Sequence, residues 1–254
     1  MSKLNNKRLP YSVSQNFLTS SVTISRLIRK TSLCMDDTVL EIGAGKGHIT
    51  RVLSQTCRRV ISYEIDSKLF DRLLPQLPGN VVLHHQDFLT CKLPESRYKV
   101  FANIPFSITT SIVRKLVQSH PCPQAMWLIM EKGAAKRFCG LPKENLTSLM
   151  IHPYYDLRIV YHFRREDFHP APKVDIVMLE FLAKETPDVT SEERILYEQF
   201  LSRAFSQGLA SLLTKKQIST ALRLAHLPPL ETGRDILYIQ WLCLFRCWLR
   251  YGKK

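Results

Sequence analysis

The chain reads as an α/β protein, a largely parallel sheet followed by a small all-helical C-terminal domain. Three stretches predict this. Thr38-Val-Leu-Glu-Ile-Gly-Ala-Gly-Lys-Gly-His-Ile-Thr50 is an apolar run that passes through three glycines into a helical pattern, the form of a strand-to-helix turn. Arg59-Val-Ile-Ser-Tyr-Glu-Ile-Asp66 is a second strand, ending in acids, and so completes one βαβ unit. From Thr190 onward the apolar residues recur at helical spacing, opened by the capping-box signature Thr190-x-x-Glu193.

In chain order, residues 1–35 hold six Lys or Arg and no Asp or Glu, and the first thirteen, with Pro10, read as a basic arm. Ser14-Gln15-Asn16-Phe17-Leu18 leads into a helix near 20–31, whose Ile24, Leu27 and Ile28 share a face. After the two strands already named, a third spans Asn80 to His85 and is followed by Gln86-Asp87-Phe88. Lys99 to Asn103 is a fourth, Ser107 to Ser119 a helix, Ala125 to Glu131 a buried strand and Lys132 to Cys139 a short basic helix. Tyr154 to Phe163 and Lys173 to Ala183 close the sheet as a hairpin. Lys184 to Val189 reads as a linker, which divides the chain into a catalytic domain, 1–183, and a helical domain, 184–254.

The whole chain carries a net charge of +14 with a pI near 9.6. Such a balance points to a polyanionic partner, a nucleic acid or an anionic membrane surface. Residues 183–254 contribute 11 basic and 7 acidic residues, so most of the excess lies in the catalytic domain. Seven cysteines without a CxxC pair argue for reduced thiols rather than a disulfide frame or a zinc site, and the eight histidines show no metal spacing. No run of eighteen apolar residues and no signal-like core in Met1–Thr19 is present, so a soluble cytoplasmic protein, monomeric and without a membrane partner, is expected.

The chemistry concentrates at Lys99-Val-Phe-Ala-Asn-Ile-Pro-Phe106. A strand ending at Asn103 and broken by Pro105 places an amide, a free carbonyl on Ile104 and the Phe106 ring at the mouth of a sheet. An exocyclic adenine amine, whose lone pair is delocalised into its ring, needs hydrogen-bond acceptors and a stacking face, which these groups supply. The stretch contains no carboxylate, so no strong general base is implied. The plainer alternative is an ordinary strand-end turn. The glycines Gly43, Gly45 and Gly47 do not follow the GxGxxG spacing of dinucleotide binders. Glu64 lies 21 residues after Gly43, where a βαβ turn returns an acid to ribose hydroxyls, whereas Asp66 suits a helix cap.

Asn103-Ile104-Pro105-Phe106, with GxGxG upstream, resembles the catalytic tetrapeptide Asn-[Ile/Leu]-Pro-[Tyr/Phe] of the rRNA adenine N6-dimethyltransferases. The Gln-Asn-Phe lead, Asp87 and Phe-His-Pro-x-Pro-Lys at 168–173 match the same family, so the resemblance spans essentially the whole chain. It implies a Rossmann-like class I methyltransferase sheet with S-adenosyl-L-methionine as cofactor. Gln15, Asn16, Leu18, Gly43, Gly45, Glu64, Ile65, Asp87, Phe88 and Asn103 would hold that cofactor. Asn103, Ile104, Phe106 and Phe168 would be catalytic, the two phenylalanines walling the target base, and Lys7, Arg8, Arg114, Lys115, Lys132 and Arg137 would meet RNA.

Ser14, Ile104, His169 and Leu213-Thr-Lys-Lys-Gln217 resemble the macrolide-resistance 23S rRNA methylases (Erm). That branch implies methylation or dimethylation of one adenine in 23S rRNA and resistance to macrolide, lincosamide and streptogramin B antibiotics. Phe106 replaces the Tyr common in the family, keeping the ring and losing the hydroxyl. The competing readings are a small-subunit 16S-type dimethylase, a non-catalytic nucleic-acid-binding relative, and, most weakly, a nicotinamide dehydrogenase.

Overall fold

The computed structural model describes residues 16–231 and 233–252. The expectations placed on Lys7, Arg8 and Gln15 lie outside the described residues. A two-stranded pair, β1 (Phe17–Leu18) and β8 (Phe168–His169), runs antiparallel with Phe17 opposite His169 and Leu18 opposite Phe168. Seven further strands form one sheet: β2 (Thr38–Ile42), β3 (Arg59–Glu64), β4 (Val81–His85), β5 (Lys99–Asn103), β6 (Ala125–Glu131), β7 (Tyr155–His162) and β9 (Ile176–Ala183). Their order is β4-β3-β2-β5-β6-β9-β7, and the pairs among β4, β3, β2, β5 and β6 are parallel.

The parallel strands are apolar along nearly their full length because helices cover both faces. Val39, Leu40, Val100, Phe101, Trp127 and Leu128 are all buried. The first helix, α1 (Ser21–Ile28), is shorter than its apolar pattern suggested and begins where the Ser20 hydroxyl accepts from Thr23 N–H. Its Ile24, Leu27 and Ile28 join Leu53 of α2 (His48–Thr56) and Trp127 in the main core. Gly47 opens α2 with φ +77°, and a Cβ there would stand 2.4 Å from Leu73 Cδ1, so no side chain is tolerated. Asp66 caps α3 (Ser67–Leu73), accepting from Lys68 and Leu69 N–H.

The described residues fall into two compact units, 16–132 with 159–180, and 133–158 with 181–231 and 233–252, rather than two segments cut at 183/184. In the second unit, α6 (Leu146–Ile151) follows α5 (Lys132–Phe138) and α4 (Thr109–Gln118) in the chain. It shares a core with α7 (Arg194–Gln207), α8 (Lys215–Leu224) and α9 (Tyr238–Tyr251). Leu149 packs with Tyr197, Phe200 and Phe245, and the Tyr197 hydroxyl donates to Leu149 O at 3.1 Å. A segment that precedes the last two strands of the sheet thus belongs with the terminal helices. The stretch read as a linker is tied down: Lys184 pairs with Asp188, whose carboxylate also accepts from the Tyr238 hydroxyl, and Val189 is buried.

Beneath the glycine turn, Glu41 of β2 is 1% exposed. Thr50 and Ser62 hydroxyls each donate to its Oε2 at 2.7 Å, and Oε1 has no partner among the described residues. Burial, aided by the Glu64 charge and opposed by the two hydroxyls, pushes its carboxyl from 4.5 up to about 7. Between those values the folded chain holds a proton that the unfolded chain has released. Stability therefore falls as pH rises through this window, by about 3 kcal/mol in all for a shift of this size. Glu41→Gln should flatten the decline of the urea midpoint from pH 4.5 to 7. An unchanged decline in the variant would show that Glu41 does not cause it.

Candidate active site

The strand order turns at β2, which has β3 on one side and β5 on the other. Loops leaving the carboxyl ends of β2 and β5 therefore diverge, and a crevice opens between them. The cleft there is open to solvent and walled mainly by apolar side chains. It brings together Asn16, Gly43, Gly45, Glu64, Ile65, Asp87, Phe88, Asn103, Ile104 and Phe106. All of these were site expectations.

Glu64, at the end of β3 and 3% exposed, is engaged by backbone. Its Oε2 accepts from Gly45 N–H at 2.7 Å, and Oε1 accepts from Ile65 and Asp66 N–H, each at 2.9 Å. Gly45 has φ +56°, and a Cβ on it would lie 2.8 Å from Phe17 Cε1. A glycine is needed here twice over, for the backbone conformation and for the approach of the ring. Oε2 retains lone-pair capacity for a ligand hydroxyl. Asp87 accepts from Leu89 N–H on Oδ1 at 2.9 Å, and Oδ2 has no hydrogen-bond partner among the described residues. Phe88 is buried edge-on against Tyr63, at 5.7 Å.

At the end of β5 the Asn103 side chain donates from Nδ2 to the Asn16 carbonyl at 2.7 Å. One of its two N–H groups is thereby used, which fixes the amide with Oδ1 as the acceptor. Ile104 N–H donates to Ile129 O at 3.1 Å, extending the β5–β6 ladder by one residue. Pro105 O accepts from Ile108 N–H and the Thr109 hydroxyl, so the turn after the strand does not draw on the Ile104 carbonyl. Phe106 is half-buried and lines the cleft.

Three expected site residues stand elsewhere. Leu18, 2% exposed, packs in the main core rather than in the cleft. Phe168 is 4% exposed, with its ring 5.1 Å from that of Phe163, and it does not line the cleft. The β1–β8 pairing sets Leu18 opposite Phe168, both in the core, while Asn16, the residue before β1, reaches the cleft. Lys115 does not face solvent for RNA: its ammonium donates to Phe88 O and Cys91 O and lies 5.1 Å from the Phe88 ring, so it pins the loop after β4.

Of the remaining cations, Arg114 is exposed on α4, Lys132 pairs with Asp175 at 3.6 Å, and exposed Arg137 lies 5.8 Å from the Phe138 ring. The cleft also uses Phe17, Ile42, Tyr63, Gln86, Pro105 and Ile108, to which the sequence assigned no ligand contact. Phe17 was legible as the third residue of the Gln-Asn-Phe lead. Tyr63 was not, because a strand's penultimate aromatic normally signals packing alone.

Two acids with spare acceptor sites, a glycine turn open to close approach and apolar walls fit a nucleoside carrying an amino-acid tail. The fold and cleft are those of a class I methyltransferase. A family model described as ribosomal RNA adenine dimethylase matches residues 5–226, and the chain belongs to that family. It is 36% identical to an rRNA adenine N-6-methyltransferase of Enterococcus faecalis and 35% identical to one of Escherichia coli, covering 98% of this chain and 100% of each relative.

Among solved structures, the 23S rRNA methyltransferase ErmE matches with a TM-score of 0.78 and 26% identity over 91% of this chain and 99% of that one. A dimethyladenosine transferase from Plasmodium falciparum, 22% identical, matches in fold with a TM-score of 0.66 over 89% and 86%. The chain is an S-adenosylmethionine-dependent rRNA (adenine-N6)-methyltransferase.

Phe106 and Phe168 separate in their expected effects. Phe106→Ala should lower kcat/KM for RNA roughly tenfold or more, the worth of one stacked base, with little change in melting temperature. Phe168→Ala should lose about 3 to 5 kcal/mol of stability as a buried ring, with activity per folded molecule retained. A stable but inactive Phe168→Ala protein would contradict its placement in the core.

Proposed function

We propose that the target is an adenine of 23S rRNA and that its N6 methylation confers resistance to macrolide, lincosamide and streptogramin B antibiotics. The likeness to ErmE over nearly the full length of both chains carries this reading. Ile104, His169 and the 213–217 element support it from within the sequence.

S-adenosylmethionine supplies an electrophilic methyl group. Glu64 and Asp87 would hold its ribose and adenine, Gly43 and Gly45 would let backbone approach its amino-acid end, and Ile65 and Phe88 would supply apolar contact. Asn16 would extend that site from the N-terminal side. The chain's own contribution to the transfer is orientation. Asn103 Oδ1 and the Ile104 carbonyl accept from the two N–H groups of the target amine. This turns the nitrogen lone pair out of conjugation and toward the methyl group. Phe106 holds the flipped base flat, and the released proton passes to solvent, since the tetrapeptide contains no carboxylate. Arg114, Lys132 and Arg137 meet RNA phosphates, and the enzyme acts as a monomer in the cytoplasm.

Incubation of unmodified 23S and 16S rRNA with labelled cofactor, followed by primer extension, should place the label at a single 23S adenine. Expression in a susceptible bacterium should raise macrolide tolerance. Label confined to 16S rRNA would overturn the 23S assignment and leave the adenine methyltransferase intact.

A further inference from the structure

A second pocket, of about 200 Å³, shares only Gly45 with the cofactor cleft. Lys46, His48, Arg51 and Arg72 line it, together with Gln76, and no Asp or Glu does. The Arg51 guanidinium is set in place by neutral acceptors. Its Nη1 donates to Lys46 O at 3.2 Å and its Nη2 to Gln76 Oε1 at 2.8 Å, while Gln76 Nε2 is itself held by Arg72 O at 2.7 Å. No ion pair joins either arginine to a carboxylate among the described residues. Burial and then the charges of Arg51 and Lys46 hold the His48 imidazole below its ordinary pKa, so the crowding of positive charge is felt within the pocket. Like charges gathered in a concavity without a counter-charge repel one another, and an anion relieves that repulsion. Two planar guanidinium forks beside an ammonium suit a phosphate, which offers several oxygens at once.

We infer that the Lys46–Arg51–Arg72 pocket is a phosphate-binding site and that it receives a backbone phosphate of the RNA whose adenine enters the neighbouring cleft. The RNA source rests on the chain's acting on rRNA. The phosphate chemistry does not. A bound phosphate would also brace Lys46, whose ammonium lies 5.1 Å from the Phe17 ring at the cleft wall, so occupancy of the pocket would steady the glycine turn.

Two variants test this: Arg51→Gln with Arg72→Gln, and Arg72→Gln alone, which spares the Arg51–Gln76 bond should the double variant fold poorly. Affinity for an rRNA fragment is measured against salt, S-adenosylmethionine affinity is measured alongside, and melting temperature is followed with inorganic phosphate at constant ionic strength. The expected result is a log–log salt slope shallower by about 0.7 to 0.9 for the lost phosphate, with cofactor affinity unchanged. Inorganic phosphate should raise the wild-type melting temperature and leave the variants unmoved. Loss of the phosphate response with an unaltered RNA slope would keep the phosphate site and overturn the RNA source, assigning it to a free phosphate compound. An unaltered slope and an unaltered phosphate response together would overturn the site. Wild-type RNA binding without any salt dependence would instead contradict the basic surface as an RNA contact, and the phosphate arm would still decide the pocket.

Discussion

A single side-chain amide joins the two ends of the catalytic half of this molecule. Asn103 at the tip of β5 donates to the carbonyl of Asn16, 87 positions earlier in the chain, at 2.7 Å. The bond does two things at once. It anchors Asn16 at the cleft, and it fixes the orientation of the amide so that the oxygen remains for a ligand N–H. An amide free to flip would present a donor half of the time to an amine that can use only acceptors.

The cleft around that amide is held by backbone contacts more than by pairs of side chains. Glu64 gathers three N–H groups from two loops, coupling the glycine turn after β2 to the turn after β3. Lys115 does the same for the loop after β4, crossing from α4 to two of its carbonyls. Each is an ionisable side chain bonded to backbone, and hydrogen bonds to charged groups are stronger than neutral ones. The parallel sheet sets the loops side by side, and these two residues fix their positions. A ligand therefore meets a site already shaped, with little ordering left to be done on binding.

Much of this was legible before any coordinates. The strand–glycine–helix unit, the acid at Glu64, Asp87 and the tetrapeptide all fall in the cleft because the topology of a βαβ sheet brings successive strand ends to one edge. Residues whose role depends on partners distant in the chain were less legible. Phe168 sits in a motif, but whether its ring faces the cleft or the core is decided by the pairing of β8 with β1 and by Phe163. Lys115 looked like an outward cation on an amphipathic helix, and only the loop packed against α4 shows where its ammonium goes. The cut at 183/184 followed a Pro-containing polar stretch, whereas the second unit's core recruits Leu149 from before it. Burial of that helix among α7 and α9 leaves no local signature.

The central claim is that Asn103 acts through an oriented amide, and Asn103→Asp tests it most directly. Aspartate keeps the shape and the acceptor oxygen but cannot donate to the Asn16 carbonyl, and it sets a carboxylate against that carbonyl. The account predicts a loss of methyl transfer of roughly a hundredfold or more, on the scale of about 3 kcal/mol for a misplaced transition-state hydrogen bond, with S-adenosylmethionine affinity changed far less. An Asn103→Asp enzyme with near wild-type kcat would contradict it.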